Sequence, residues 1–273
     1  MPVPSTIDHR ARGYSLDLAY WLAQASDLAY KDEATIEKQA HQWGFGPVRH
    51  HHTRFTPPFP LEDTQAYTAA SDDMIIVAFR GTEPAQIRDW LSDATTPPWT
   101  GPARTGYVHY GFAQALESVF PTVKDTLQEF RTNGQSLFFT GHSLGGALAM
   151  LAAARLYLED PELLADGVYT YGQPRTCDRL LAAAYNKGFK QRMFRFVNNN
   201  DIVPQLPPEP AFTHVETLRY LDSSGRLREQ TSHIGGLTDR VKGYTADAFA
   251  PAADGVRDHS IRKYIGALEK NLA

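Results

Sequence analysis

Ser136-Leu137-Phe138-Phe139-Thr140-Gly141-His142-Ser143-Leu144-Gly145-Gly146 is the stretch that decides the fold of this chain. Ser136 to Thr140 read as a short apolar strand. Gly145 to Leu158 are small and aliphatic residues, apolar nearly all round, which marks a buried helix. Between the two the chain has to turn sharply. Gly141 and Gly145 leave room where the strand and helix backbones nearly touch. The result is a G-x-S-x-G elbow with Ser143 at its tip, and the N–H groups that open the helix point at the same spot.

On either side of this elbow, strands alternate with helices. Gln65 to Ala70 and Met74 to Arg80 read as strands, the second a buried β-branched run. Val168 to Tyr171 and Met193 to Val197 are two more. Val215 to Leu221 and Arg226 to Gln230 read as a hairpin around Asp222-Ser223-Ser224-Gly225. Helices are predicted over Ser15 to Tyr30, Gly111 to Arg131 and Ser260 to Lys270, and Pro121 should kink or split the second. This alternation implies an α/β fold, a mostly parallel central sheet with helices on both faces. Proline-rich stretches at 56–60, 96–99 and 204–210 are too short to act as linkers, so residues 1–273 read as a single domain.

Composition narrows the function. Of 273 residues, 42 % are hydrophobic and 21 % charged, which excludes a disordered chain, a coiled coil or a collagen-like repeat. A net charge of −4 argues against a nucleic-acid partner, since phosphate binding needs a concentrated basic face. The one dense basic stretch, Arg49-His50-His51-His52-Thr53-Arg54, reads as a solvated loop rather than a metal site. Cys177 is the single cysteine, so no internal disulfide forms. The longest apolar runs, Ala147 to Ala154 and Met74 to Phe79, fall far short of the roughly 20 residues that cross a bilayer. Asp8, Asp17, Gln24 and Asp27 interrupt any signal-peptide core, so the expected compartment is the cytoplasm, with leaderless export left open.

A serine hydroxyl is a weak nucleophile and needs a base, which in turn needs an acid to orient it. On this architecture the partners follow in the order Ser, Asp or Glu, His. Asp201 lies just past the strand Met193 to Val197, in Asn198-Asn199-Asn200-Asp201, and is the natural acid. Three histidines follow Ser143, namely His214, His233 and His259. One oxyanion donor should be the backbone N–H of Leu144.

Six matches in order give the chain a resemblance to the class 3 lipase family. They are Phe79-Arg80-Gly81-Thr82, Val108-His109-Tyr110-Gly111-Phe112, Gly141 to Gly146, Tyr171-Gly172-Gln173-Pro174-Arg175, Asn200-Asp201-Ile202-Val203-Pro204, and Asp258-His259 with Tyr264 beyond. The resemblance implies an α/β-hydrolase fold, Asp201 as acid and His259 as base, with His233 and His214 as fallbacks. It implies that Thr82 supplies the second oxyanion donor, whose plainer reading is a turn residue after Gly81. His109 is expected to be structural and His142 to pack beneath the serine.

In Glu83 to Asp93, Ile87, Trp90 and Leu91 fall on one face of a short helix. Similar family members carry a lid there, so residues 83–93 are expected to form a short helical lid. Val203, Leu206 and Pro207 would wall an acyl groove, with core packing an alternative for Val203. The implied activity is serine-dependent ester hydrolysis through an acyl-enzyme. The leading substrate is a triacylglycerol at a lipid–water interface. A phospholipase A1, a feruloyl or short-chain esterase, and a catalytically silent binding protein are the alternatives. The chemistry requires no metal or organic cofactor. The expected partners are a lipid or other ester substrate and a transient lipid surface, with the protein a monomer.

Overall fold

A computed structural model describes residues 5–53, 64–82, 98–228 and 257–272. The elements in chain order are α1 (Leu16–Leu28), α2 (Glu33–Gln42), β1 (Val48–His52), β2 (Gln65–Ala70), β3 (Met74–Phe79), β4 (Pro98–Thr100) and β5 (Tyr107–His109). They continue with α3 (Tyr110–Phe130), β6 (Ser136–His142), α4 (Leu144–Glu159), β7 (Gly167–Tyr171), α5 (Arg179–Phe189), β8 (Met193–Asn198), β9 (Leu218–Leu221), β10 (Leu227–Arg228) and α6 (Ile261–Leu272). The main sheet runs β1-β2-β3-β6-β7-β8-β9-β10, and β4 pairs with β5 in a separate ribbon. From β3 to β9 the neighbours are parallel, while β1, β2 and β10 join antiparallel at the two sides. This is the mostly parallel α/β sheet expected, an α/β-hydrolase fold.

Alternation along β3 shows how the layers form. Ile75, Val77 and Phe79 join the cluster that holds Phe112, Leu116 and Val119 of α3 and Leu148 of α4. Met74, Ile76 and Ala78 face the other way, against Leu18 and Leu22 of α1 and Tyr264 and Leu268 of α6. Burial on both faces is what a near-continuous apolar strand demands. Helix α4 is buried along most of its length, as its composition requires.

Two expectations are corrected. The histidine run is not a solvated loop. Arg49 to His52 lie in edge strand β1, paired with β2 in the register Val48↔Ala69 to His52↔Gln65. His51 is buried, with Nε2 2.9 Å from Thr68 Oγ1. The chain tolerates polar residues there because an edge strand needs to bury only one face. Pro121 does not split α3, which continues from Tyr110 to Phe130 as one helix. Pro121 sits on the exposed side, where water can serve the carbonyl left without a donor. Helices α2 and α5 were not anticipated. Each has an aspartate N-cap, Asp32 accepting from Thr35 N and Asp178 from Leu181 N. Cys177 is buried and free. Among the described residues no helix is long and apolar enough to cross a membrane.

Candidate active site

Strand β6 ends in the elbow. Ser143 has φ 60° and ψ −128°, a conformation that side chains rarely adopt and that costs about 1–3 kcal/mol. The surroundings enforce it. A Cβ on Gly145 would lie 2.1 Å from the Phe79 carbonyl oxygen, and one on Gly141 would lie 2.2 Å from the Gly145 backbone. No other residue type fits either position, so strand β6 and helix α4 can meet closely enough to push the serine outward. The Ser143 N–H donates to the Tyr171 carbonyl at 2.9 Å, which ties the elbow to β7.

His259 stands against this serine. Its Nε2 lies 2.7 Å from Ser143 Oγ, and its Nδ1 lies 2.8 Å and 3.0 Å from the two oxygens of Asp201. All three side chains are buried. A carboxylate only accepts, so Nδ1 carries the proton and the Nε2 lone pair faces the serine hydroxyl. That is the tautomer that removes a proton from Ser143. The Asp201 charge is balanced by donors. Val203 N–H reaches Oδ1 at 2.9 Å and the Tyr264 hydroxyl reaches Oδ2 at 2.5 Å. Burial first, and then the nearby Asp201 charge, push the Tyr264 phenol well above its usual range, so it stays a donor.

The loop before Thr82 runs along the same serine. A Cβ on Gly81 would meet the His142 carbonyl oxygen at 2.5 Å and Ser143 Cβ at 3.2 Å. Leu144 opens α4, so its N–H belongs to the first turn, whose donors have no carbonyl one turn back. Gly81 and Leu144 therefore flank the serine from the carboxyl edges of β3 and β6, and Thr82 is the residue after Gly81 on that loop.

His214 does not reach the serine. Its Nε2 bonds the Pro204 carbonyl at 2.7 Å. His109 packs between the rings of Phe112 and Phe212, at 4.7 Å and 5.4 Å. His142 is buried below the serine, with ring centroid 4.5 Å from that of His259. Val203 belongs to the apolar core, Leu206 packs partly against it, and Pro207 is buried. The Arg175 guanidinium donates to the Gln205 and Pro207 carbonyls and holds this loop. His233 and the 83–93 segment, with Ile87, Trp90 and Leu91, lie outside the described residues. Among the described residues no cluster of three His, Cys, Asp or Glu side chains is placed to hold a metal ion.

Two contributors carried no role in the sequence reading. Tyr264 follows His259 by five residues and reaches back to Asp201. Gly172, with φ +62°, lets the backbone after β7 pass against Asp201 and His259. The glycine in Tyr171-Gly172-Gln173 was the available signal, since a glycine just past a strand marks a close approach.

The class 3 lipase family profile matches residues 76–211, about half of the chain. A lipase of Rhizomucor miehei is 38 % identical over 158 residues, covering 54 % of this chain and 42 % of the relative. A triacylglycerol lipase of Arabidopsis thaliana is 29 % identical over 234 residues, covering 67 % and 44 %. This chain thus matches less than half the length of these relatives. The solved structure of Rhizomucor miehei triacylglyceride lipase superposes with a TM-score of 0.62 at 27 % identity, covering 91 % of this chain and 95 % of that one.

One expectation is overturned by these likenesses. A relative from Fusarium solani (34 % identical over 137 residues, 49 % of this chain and 39 % of the relative) is a secreted mono- and diacylglycerol lipase. One from Penicillium cyclopium (30 % over 182 residues, 64 % and 57 %) is another. The cytoplasmic default rested on the first residues alone, and a leader is a removable segment outside the fold, so the catalytic architecture says nothing for the cytoplasm.

Proposed function

The chain belongs to the class 3 lipase family, and from that premise we propose that it is a serine-dependent carboxylic-ester hydrolase, a triacylglycerol lipase working at a lipid–water interface. One observation carries the proposal: the continuous line from Ser143 Oγ through His259 to the Asp201 carboxylate, with contacts of 2.7 and 2.8 Å.

The geometry supports the following sequence of steps. Ser143 Oγ attacks the ester carbonyl carbon while His259 Nε2 takes its proton. Asp201 stabilises the imidazolium and keeps the ring in place. The carbonyl oxygen becomes an oxyanion and accepts from the Leu144 N–H and from the Thr82 N–H and hydroxyl. The tetrahedral intermediate collapses, His259 Nε2 gives its proton to the departing alcohol oxygen, and the acyl group stays on Ser143. Water then attacks the acyl-enzyme by the same route, releases the acid and restores the serine. Leu206 and Pro207 are the proposed near wall for the acyl chain, while Val203 stays in the core.

The test is a chain-length series of nitrophenyl esters and of mono-, di- and triglycerides, measured across each solubility limit beside Ser143→Ala. The expected result is a rate that climbs once glyceride droplets form, and at least about a thousandfold loss in the alanine variant. Hydrolysis confined to dissolved short esters would remove the interface from the proposal. Activity that survives Ser143→Ala would remove the mechanism.

A further inference from the structure

His259 is delivered differently from its two partners. Ser143 follows directly on strand β6, and Asp201 follows β8 after the short turn at Asn199 and Asn200, so the sheet sets where both begin. His259 lies in a turn just before α6 and belongs to no strand. Its position has to come from side-chain bonds, and those bonds converge on its main chain.

His142 makes the central one. Its Nε2 lies 2.5 Å from the His259 carbonyl oxygen, and its Nδ1 lies 2.8 Å from the Tyr30 hydroxyl. A carbonyl oxygen only accepts, so Nε2 carries the His142 proton. Nδ1 is then an acceptor, and Tyr30 donates to it. One tautomer satisfies the whole chain from Tyr30 to His142 to the base. The Tyr30 hydroxyl also lies 2.3 Å from where a Cβ on Gly81 would stand, so it presses on the backbone that leads into Thr82. Three parts of the proposed machinery thus touch one pair of side chains: the oxyanion loop, the elbow strand and the base turn. On the far side of that turn, Asn198 Nδ2 donates to the Asp258 carbonyl at 2.9 Å, and Asn199 and Lys263 hold the Asp258 carboxylate.

We propose that His142 and Tyr30 are positioning residues of the ester hydrolysis, setting the His259 backbone, and through it the Nε2-to-Ser143 contact, by a relay that touches neither substrate nor the reacting atoms. This rests on the hydrolase reading above. The groups that face His142 are His259 and Tyr264 by their rings and Tyr30 by its hydroxyl, with Asp201 one contact further. Burial, and then the His259 charge, hold the His142 imidazole well below its usual range. It therefore stays neutral while His259 becomes an imidazolium, and its N–H keeps pointing at the carbonyl throughout turnover.

The experiment compares His142→Phe, His142→Gln and Tyr30→Phe in the full chain, against wild type and Ser143→Ala. Phenylalanine keeps the ring and removes both bonds. Glutamine places an amide N–H near the old Nε2 position. The expected result is a kcat on a soluble ester that falls about 10- to 100-fold in His142→Phe, with KM within about twofold, as for a misplaced base. In His142→Gln, kcat should return to within about threefold of wild type. Tyr30→Phe, at a half-buried position, should lose about three- to tenfold in kcat. A second readout needs no substrate: the far-downfield NMR resonance of the His259 Nδ1 proton should shift or broaden in His142→Phe and Tyr30→Phe and recover in His142→Gln.

Retention of kcat within about twofold in His142→Phe overturns the proposal, as does equal loss in the phenylalanine and glutamine variants. If His142→Phe does not fold, Tyr30→Phe decides, and an unchanged kcat with an unchanged resonance overturns it. Failure of the hydrolase reading looks different. In that case wild type and Ser143→Ala are equally inactive, while the resonance still reports whether His142 holds His259.

Discussion

Gly172→Ala perturbs the site through a single methyl group. Gly172 follows β7 at φ +62°, and a Cβ there would stand 2.8 Å from Asp201 Oδ2, His259 Cε1 and His259 Nδ1. Ordinary contact begins near 3.4 Å, so the methyl group and the dyad must separate by about 0.6 Å. The backbone offers little relief, because the Gly172 N–H is bonded to the Phe196 carbonyl at 3.0 Å. The Asp201 side gives little either, since Val203 and Tyr264 hold both oxygens. The imidazole takes most of the displacement, and its Nε2 leaves the serine. A misplacement near 1 Å costs about a hundredfold in rate, so a shift of this size should lower kcat about 10- to 100-fold.

A second effect is separable. Alanine at positive φ costs about 1–2 kcal/mol wherever it sits, which for a chain this size lowers Tm by about 2–8 °C. Gly134 isolates that part, having φ +68° and open space around the added methyl group. Both variants should melt earlier in calorimetry. In hydrolysis of a soluble nitrophenyl ester, Gly134→Ala should keep kcat and Gly172→Ala should lose it, with KM little changed in either. If Gly172→Ala hydrolyses the ester within about twofold of wild type while showing the same loss of Tm, the packing argument is refuted.

Three further outcomes follow from the same contacts. Asp201→Asn keeps the shape but removes the charge that fixes the His259 tautomer, so kcat should drop by about 10⁴, and a loss under tenfold would contradict the assigned role. Thr82→Ala removes a hydroxyl and leaves the N–H, so the loss in kcat should stay below the about 2.7–4 kcal/mol of a whole oxyanion donor, with Tm unchanged; an unaltered kcat rejects the hydroxyl as a donor. Burial, and then the charges of His50, Arg49 and His52, lower the His51 imidazole to about 4. Its folded value lies below its unfolded one, so its contribution to stability is complete above about pH 6.5 and is lost as pH falls toward 4, because only the unfolded chain takes the proton. That loss amounts to about 3 kcal/mol at most, and urea melts at pH 7 and pH 4.5 should show a smaller difference in His51→Gln than in wild type.

What could be read from sequence tracks how each part is held. Ser143 and Asp201 were legible because each follows a buried strand whose apolar run announces it, and a sharp turn leaves few residue types at the tip. The base was not legible in that way. Order along the chain left His214, His233 and His259 open, and the resemblance, not the pattern, favoured the last. The reason is physical: His259 has no strand to deliver it, and the bonds that hold it come from His142 and Asp201, backed in turn by Tyr30 and Tyr264, scattered over more than two hundred residues. Edge strand β1 was missed for the opposite reason. A strand that buries one face against α3 and leaves the other to Glu33 and Glu37 of α2 needs no apolar run, and His50 and His52 lie 3.4 Å and 2.6 Å from those carboxylates. Helix α2 buries only Ile36 and Ala40, too thin a stripe to register as a period.

The same division separates stability from rate. Buried strands β6 and β8 lead into the serine and the acid, so a substitution that moves either one first has to break buried packing, and its effect arrives mixed with unfolding. The base turn answers to hydrogen bonds that contribute about 1 kcal/mol each, small beside the core but large beside the tolerance of a proton transfer. Loss of the Tyr264 hydroxyl shows the contrast. Tyr264→Phe leaves an equally apolar ring in the core and takes one donor from Asp201 Oδ2 and one acceptor from the Asn198 N–H. The fold should keep most of its stability, falling by about 1–3 kcal/mol for the orphaned buried groups. The carboxylate, with a donor fewer, is held less firmly behind the His259 ring, so kcat on a soluble ester should fall about three- to tenfold with KM little changed. An unchanged kcat would mean that the bonds from His259 and Val203 alone keep the Asp201 carboxylate in place.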